Sequence, residues 1–122
     1  MAKIFEHAML SYLNTAVESG KLYFRPVPQK ATFPHGVILK VLAGKTYTHQ
    51  GPAWYRTEMQ VSVFGKSFVE ARKMADEVIA KLEVWPEVQA VLLNQDGDAF
   101  DQEDQTHHVA LVFQIHHDFN IL

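Results

Sequence analysis

The residues best suited to chemistry are four histidines set in pairs at the ends of one apolar run, THHVALVFQIHH, from Thr106 to His117. Imidazole is a common metal ligand and titrates near neutral pH, so metal binding is the first chemistry this spacing raises. The period of the run argues against it. Val109, Leu111, Phe113 and Ile115 recur at every second position, which is strand spacing, and adjacent strand side chains point to opposite faces. His107 therefore diverges from His108, and His116 from His117. At about 3.3 Å per residue the two pairs lie roughly 30 Å apart. A zinc ion needs all its donors within about 2.0–2.3 Å, so this strand chelates nothing unaided. Other segments or other copies of the chain would have to supply ligands.

The second cluster is DGDAFDQED, which places Asp96, Asp98, Asp101, Glu103 and Asp104 in nine residues. Its opening resembles a calcium ligand run, but an EF-hand needs Asp-x-Asp-x-Asp-Gly and a glutamate at position twelve. Here Gly97 takes the second position and no helix pair flanks the run, so it reads as a solvated loop. The sequence holds no Gly-x-Ser-x-Gly elbow, Walker loop, Gly-x-Gly-x-x-Gly or His-Glu-x-x-His. His7, His35 and His49 stand alone and read as surface residues. Trp54 and Trp85 read as packing residues or as an interface anchor. No catalytic residue, metal ligand or cofactor is expected from these motifs.

With 122 residues the chain is expected to form one domain with a core that needs no staples. Hydrophobic residues make up 48% and charged residues 20%, an ordinary globular profile. The absence of cysteine removes disulfides, thiolate catalysis and cysteine-based metal sites. No apolar run approaches the roughly 20 residues that span a bilayer, and no signal peptide is read at the start. The net charge is −3 and the 11 basic residues are scattered, which argues against a chain that grips phosphates.

The elements around these clusters follow from periodicity. Phe5, Met9, Tyr12, Leu13 and Ala16 form one helical stripe within Ala2–Val17, stopped at Glu18–Gly20. The segment with Pro26, Pro28 and Pro34 should run extended over the surface and pair little. Val37–Leu42 is a strand candidate, and Ala43–Ala53 is read as a loop or extended arm. The next strand, from near Trp54, alternates Tyr55, Thr57, Met59, Val61 and Val63 with Arg56, Glu58, Gln60 and Ser62. That pattern belongs to an antiparallel sheet covered on one side. Ser67 and Glu70 form a capping box ahead of a stripe of Phe68, Ala71, Met74, Ala75, Val78, Ile79 and Leu82. On the outer face Arg72 and Asp76, Lys73 and Glu77, and Glu77 and Lys81 stand at i,i+4, and Pro86 ends the helix. Val88–Leu93 and Val109–Ile115 complete the set. The expectation is an α+β fold, a single antiparallel sheet of about four strands with two helices on one face.

Several of these stretches, in order, resemble phage tail-completion (tail-terminator) proteins of long-tailed phages. PVPQKATFPHGVILKV is similar to the family segment where a Pro-Gln pair precedes an aromatic-Pro and the first strand. HQGPAWYRTEMQVSVFGKSFVEARKMADEV resembles the central signature through Gly51, Pro52, Arg56, Ser67, Glu70, Ala71, Ala75 and Asp76. QTHHVALVFQIHH is similar to the last strand, so the likeness covers roughly residues 22 to 117. The resemblance implies a non-enzymatic virion protein of the head–tail neck, assembled in the host cytoplasm. It implies a homo-oligomer, commonly a hexameric ring, that caps the tail tube protein and meets the head-completion or connector protein. DNA would pass through that ring without specific binding.

Assembly needs edges and loops rather than a pocket. The interface candidates are Gly51, Pro52 and Trp54 in the arm, and Asp96, Asp98, Asp101, Glu103 and Asp104 in the acidic run. Phe119, Ile121 and Leu122 of the terminal DFNIL join them, as apolar residues that pack on a neighbour or fold back on the chain's own core. Replacing Asp96–Asp104 by a short linker is expected to leave the monomer folded. Two other readings stay open: another neck component such as a head-completion protein, and a small binding or enzymatic domain whose histidines share a metal between subunits.

Overall fold

A computed structural model describes residues 4–24, 27–28, 31–48, 51–102 and 105–117, with side chains undescribed over 40–54. The elements run α1 (Phe5–Ala16), β1 (Lys21–Tyr23), β2 (His35–Thr48), β3 (Gly51–Gly65), α2 (Phe68–Glu83), β4 (Ala90–Asp101) and β5 (Thr106–His117). The five strands form one open mixed sheet in the order β1-β2-β3-β5-β4. β1 lies parallel to β2 and every other pair is antiparallel. The α+β class is as expected, but the sheet has five strands rather than about four.

Two expected loops are strand. Within the Ala43–Ala53 arm the ladder continues through Lys45 and Tyr55, Thr46 and Trp54, and Thr48 and Gly51, with irregularities after Lys40 and Thr46. Thr46, Tyr47 and Thr48 favour an extended backbone, and each gains a cross-strand partner by continuing the hairpin. The acidic run also pairs: Asp96 opposes Leu111, Asp98 opposes Val109 and Asp101 opposes Thr106. Strand β4 is therefore far longer than Val88–Leu93, and the acidic loop contracts to the turn after Asp101. Carboxylates are tolerated there because β4 is an edge strand, exposed along almost its whole length. Removing Asp96–Asp104 would delete half of a paired strand, so the expectation of a folded linker variant is withdrawn.

The second helix forms as its sequence dictates. Ser67 Oγ accepts from the Glu70 N–H at 3.1 Å, while the Glu70 carboxylate accepts from the Lys66 N–H at 3.0 Å, one residue outside the usual box. Ala71, Met74, Ala75, Val78 and Leu82 are buried as the stripe requires, but Phe68 is 47% exposed. Glu77 faces inward from the expected solvent side. Its carboxylate accepts from the Glu18 N–H (3.0 Å), the Ser19 N–H (2.9 Å) and the Ser19 hydroxyl (2.7 Å), tying the turn after α1 to α2. Burial disfavours its charge, but those donors and Lys81 outweigh burial and hold the carboxyl below its usual range.

The three-residue β1 gave no periodic signal. It is held on one side by β2 and on the other by Asn14 of α1, whose amide accepts from the Leu22 N–H (2.8 Å) and donates to the Leu22 carbonyl (3.0 Å). Nearby, a Cβ on Gly20 would collide with the Pro34 carbonyl oxygen, so this position needs glycine for close approach. Phe5, Met9 and Leu13 of α1 join the α2 stripe over Met59, Val61, Val63, Val109, Leu111, Phe113 and Ile115. The core thus lies on one face of the sheet, and among the described residues no helix covers the other.

Candidate assembly surfaces

The histidine pairs diverge as alternation demands. His117 is fully buried on the helix side, where its ring stacks on Phe5 at 3.8 Å between centroids and its Nε2 meets Thr57 Oγ1 at 2.8 Å. His116 lies on the opposite face, paired across the ladder with Arg56 and Ala90. At the other end His107 contacts Phe68 and Phe100 on the helix side, while His108 stacks on Phe64 on the bare side at 4.6 Å. Among the described residues no three His, Asp or Glu side chains gather closely enough to hold a metal ion.

Asp96 and Asp98, expected at an interface, are engaged within the fold. Arg72 donates to both oxygens of Asp96 at 2.8 and 3.0 Å, reaches Asp98 at 3.5 Å, and also pairs with Asp76. This fork fastens α2 to the edge strand, and the Asp96 hydrogen bonds, opposed only in part by burial, raise the already high pKa of the guanidinium. Alternation places Asp96 and Asp98 on the helix side, but nothing in a lone sequence chooses Arg72 as their partner. Asp101 is exposed at the end of β4. The backbones of Gly51, Pro52 and Trp54 lie at the far end of the β2–β3 hairpin, whose tip extends about four residues, roughly 13 Å, past His117. Glu103, Asp104, Phe119, Ile121 and Leu122 lie outside the described residues, as does His49. Among the described residues of the expected set, then, Asp96, Asp98 and Asp101 share β4, and Gly51, Pro52 and Trp54 share the far end of β3. The hairpin tip sits at the opposite end of the sheet.

The bare face was not anticipated as a site. Its middle is Arg56, Glu58, Gln60 and Ser62 of β3, Ala110, Val112 and Gln114 of β5, and Gln95 of β4, all in register. At the end near His108, Phe33 and Val27 overhang it and leave a cleft of about 940 Å³. His35 proves to be buried here, not on the surface, with its ring among Phe33, Phe64 and Tyr23. Lys66 places its ammonium 4.4 Å from the centre of the Phe33 ring. Burial lowers the pKa of His108, whose Nε2 has no hydrogen-bond partner among the described residues. The signal for this face was available in the sequence, as the polar half of the Tyr55–Val63 alternation.

No protein-family model matches the sequence, and no curated protein matches it. The fold is similar to that of a chain in a solved structure described as the virion of a native gene transfer agent (GTA) particle. The two superpose with a TM-score of 0.63 at 13% identity, over 88% of this chain and 82% of that one. No described helix is long and apolar enough to cross a membrane.

Proposed function

We propose that this chain is a non-enzymatic virion protein of a phage-like particle, which closes the tail tube as a ring and forms the surface that joins tail to head. The observation that carries the proposal is the shared fold with a chain of a virion particle, over most of both chains. The tail-terminator motifs in the sequence supply the finer role. Two features of the surface agree with it. The bare face is rich in glutamine and carries Arg56 beside Glu58, so it offers DNA a near-neutral wall. A ring whose lumen is lined this way lets a duplex slide, whereas a basic stripe would hold it by releasing counterions. The hairpin tip and the acidic turn stand at opposite ends of the sheet, so one subunit can meet the tube at one end and the head at the other. The subunit number, six in the family resemblance, belongs to this proposal.

Electron microscopy of particles assembled without the chain tests the role. Tails of uncontrolled length, or finished tails unattached to heads, are the expected result, with joining restored by added protein. Normal particles would contradict it. A second reading, a small binding domain, draws on the cleft and its two imidazoles, since the volume suits a small ligand. Stoichiometric zinc or nickel that survives dialysis and is lost in His35→Ala or His108→Ala would favour that reading. Metal-free protein that completes tails would set it aside.

A further inference from the structure

We infer that successive copies of this chain join edge to edge, with β4 of one copy pairing with β2 of the next in a continued antiparallel sheet. This deepens the ring reading above and rests on it. Three observations lead there. Among the described residues no strand pairs with the outer edge of β4, nor with β2 beyond Val37, where β1 ends. The β1 stretch is already sealed, because Asn14 occupies the outward N–H and carbonyl of Leu22. The open edges are therefore β4, 12 residues long, and β2 from Ile38 to Thr48, which are nearly matched in length. An uncovered edge of that length is a standing template for another strand.

Direction is the second observation. β2, β3, β5 and β4 alternate in direction across the sheet, so β4 runs opposite to β2. A copy placed beside β4 with its own β2 inward continues the alternation without being turned over. All copies then share one polarity, which is the head-to-tail arrangement that closes into rings. A tail end needs that polarity, because tube and head lie on opposite sides of the ring.

Charge is the third. Strand β4 contains Asp96, Asp98 and Asp101 and no basic residue. Strands β1 and β2 contain Lys21, Lys40 and Lys45 and no acidic residue. Arg72 offsets part of the acidity, but the β4 edge stays negative. Two β4 edges brought together would oppose like charges, whereas β4 against β2 opposes unlike ones. Electrostatics thus selects the head-to-tail joint over a two-fold dimer. Leu92 of β4 and Leu39 of β2, 51% and 45% exposed, would gain cover at the seam.

The chain has no cysteine, which makes cross-linking clean. Gln95 of β4 is exposed on the bare face, and the backbone positions of Leu39, Leu42 and Thr46 of β2 stand opposite Gln60, Glu58 and Trp54 in the ladder. Gln95→Cys is combined in turn with Leu39→Cys, Leu42→Cys and Thr46→Cys, so that one pair falls within the roughly 4 Å between Cβ atoms that a disulfide needs. The variants are oxidised as purified protein at high concentration and on tails lacking the chain. At least one double variant should give a ladder of disulfide-linked multimers ending at the ring, with each single variant remaining monomeric on a non-reducing gel. A disulfide dimer from Gln95→Cys alone would show a two-fold β4 joint and overturn the inference. Tails completed by double variants that never cross-link would also overturn it, leaving the terminator role intact. Cross-linked rings that fail to complete tails would support the joint and contradict the role.

Discussion

On one face of the sheet Met59, Val61, Val63, Val109, Leu111, Phe113 and Ile115 lie under two helices. On the other, Glu58, Gln60, Ser62, Ala110, Val112 and Gln114, drawn from the same strands, meet no helix among the described residues. Neighbours in sequence are thus held to opposite requirements. The covered face is governed by exclusion of water, and its residues tolerate neither charge nor lost volume. Away from the cleft under Val27 and Phe33, the bare face has no helix against it among the described residues, so its composition is free to serve what passes or docks there. A substitution's consequence should follow its parity in the strand rather than its conservatism.

The sharpest break in that comparison is Met59→Asp set beside Gln60→Glu. Met59 is fully buried, and a carboxylate there would have no partner and no water, so little folded protein is expected. Gln60→Glu should change stability by about 0.5 kcal/mol or less, read by urea denaturation. Next in size is the buried pair of Thr57 and His117. Thr57→Val keeps the volume but removes the hydroxyl 2.8 Å from the imidazole, and should cost about 1–3 kcal/mol. Ser67→Ala removes the cap of α2 and should cost about 1 kcal/mol, a drop in Tm of about 3–6 °C.

Arg72→Ala probes the seam between the faces, because its fork fastens α2 to the acidic edge. The group is partly exposed, so about 1 kcal/mol is expected at low salt, and the loss should shrink as salt rises. The smallest effect is a pH dependence. Glu77 is held below its ordinary range, so it stabilises the fold above the unfolded value of about 4.3 and stops doing so as pH falls through its folded value. Tm curves for the wild type and Glu77→Gln should therefore separate above about pH 4.3 and converge in more acidic solution.

What was legible in the sequence was whatever repeated. The alternation through Thr57–Val63 and Val109–Ile115 fixed which side faces the core, and Ser67 with Glu70 fixed the start of α2. The divergence of the histidine pairs followed from the same alternation. What failed was local polarity read as loop. The aspartates of β4 and the threonines and glycines of the hairpin look like turn formers, yet β4 tolerates its aspartates because its outer surface is solvated, and the hairpin residues gain ladder partners by continuing as strand. β1 escaped because three residues make no period, and because its partners, Asn14 and β2, are set by the tertiary fold. The burial of His35 among aromatic rings has the same origin, since Phe64 and Tyr23 reach it only through strand pairing.

The central proposal, that the covered face holds the fold and the bare face works in a phage-like particle, is tested most directly by electron cryomicroscopy of completed tails. The account predicts a ring of this chain at the head-proximal end of the tube. In it the helices face outward, and Gln60, Gln114 and Gln95 face the channel. A map in which α1 and α2 line the channel, or in which the chain lies elsewhere in the particle, would contradict it.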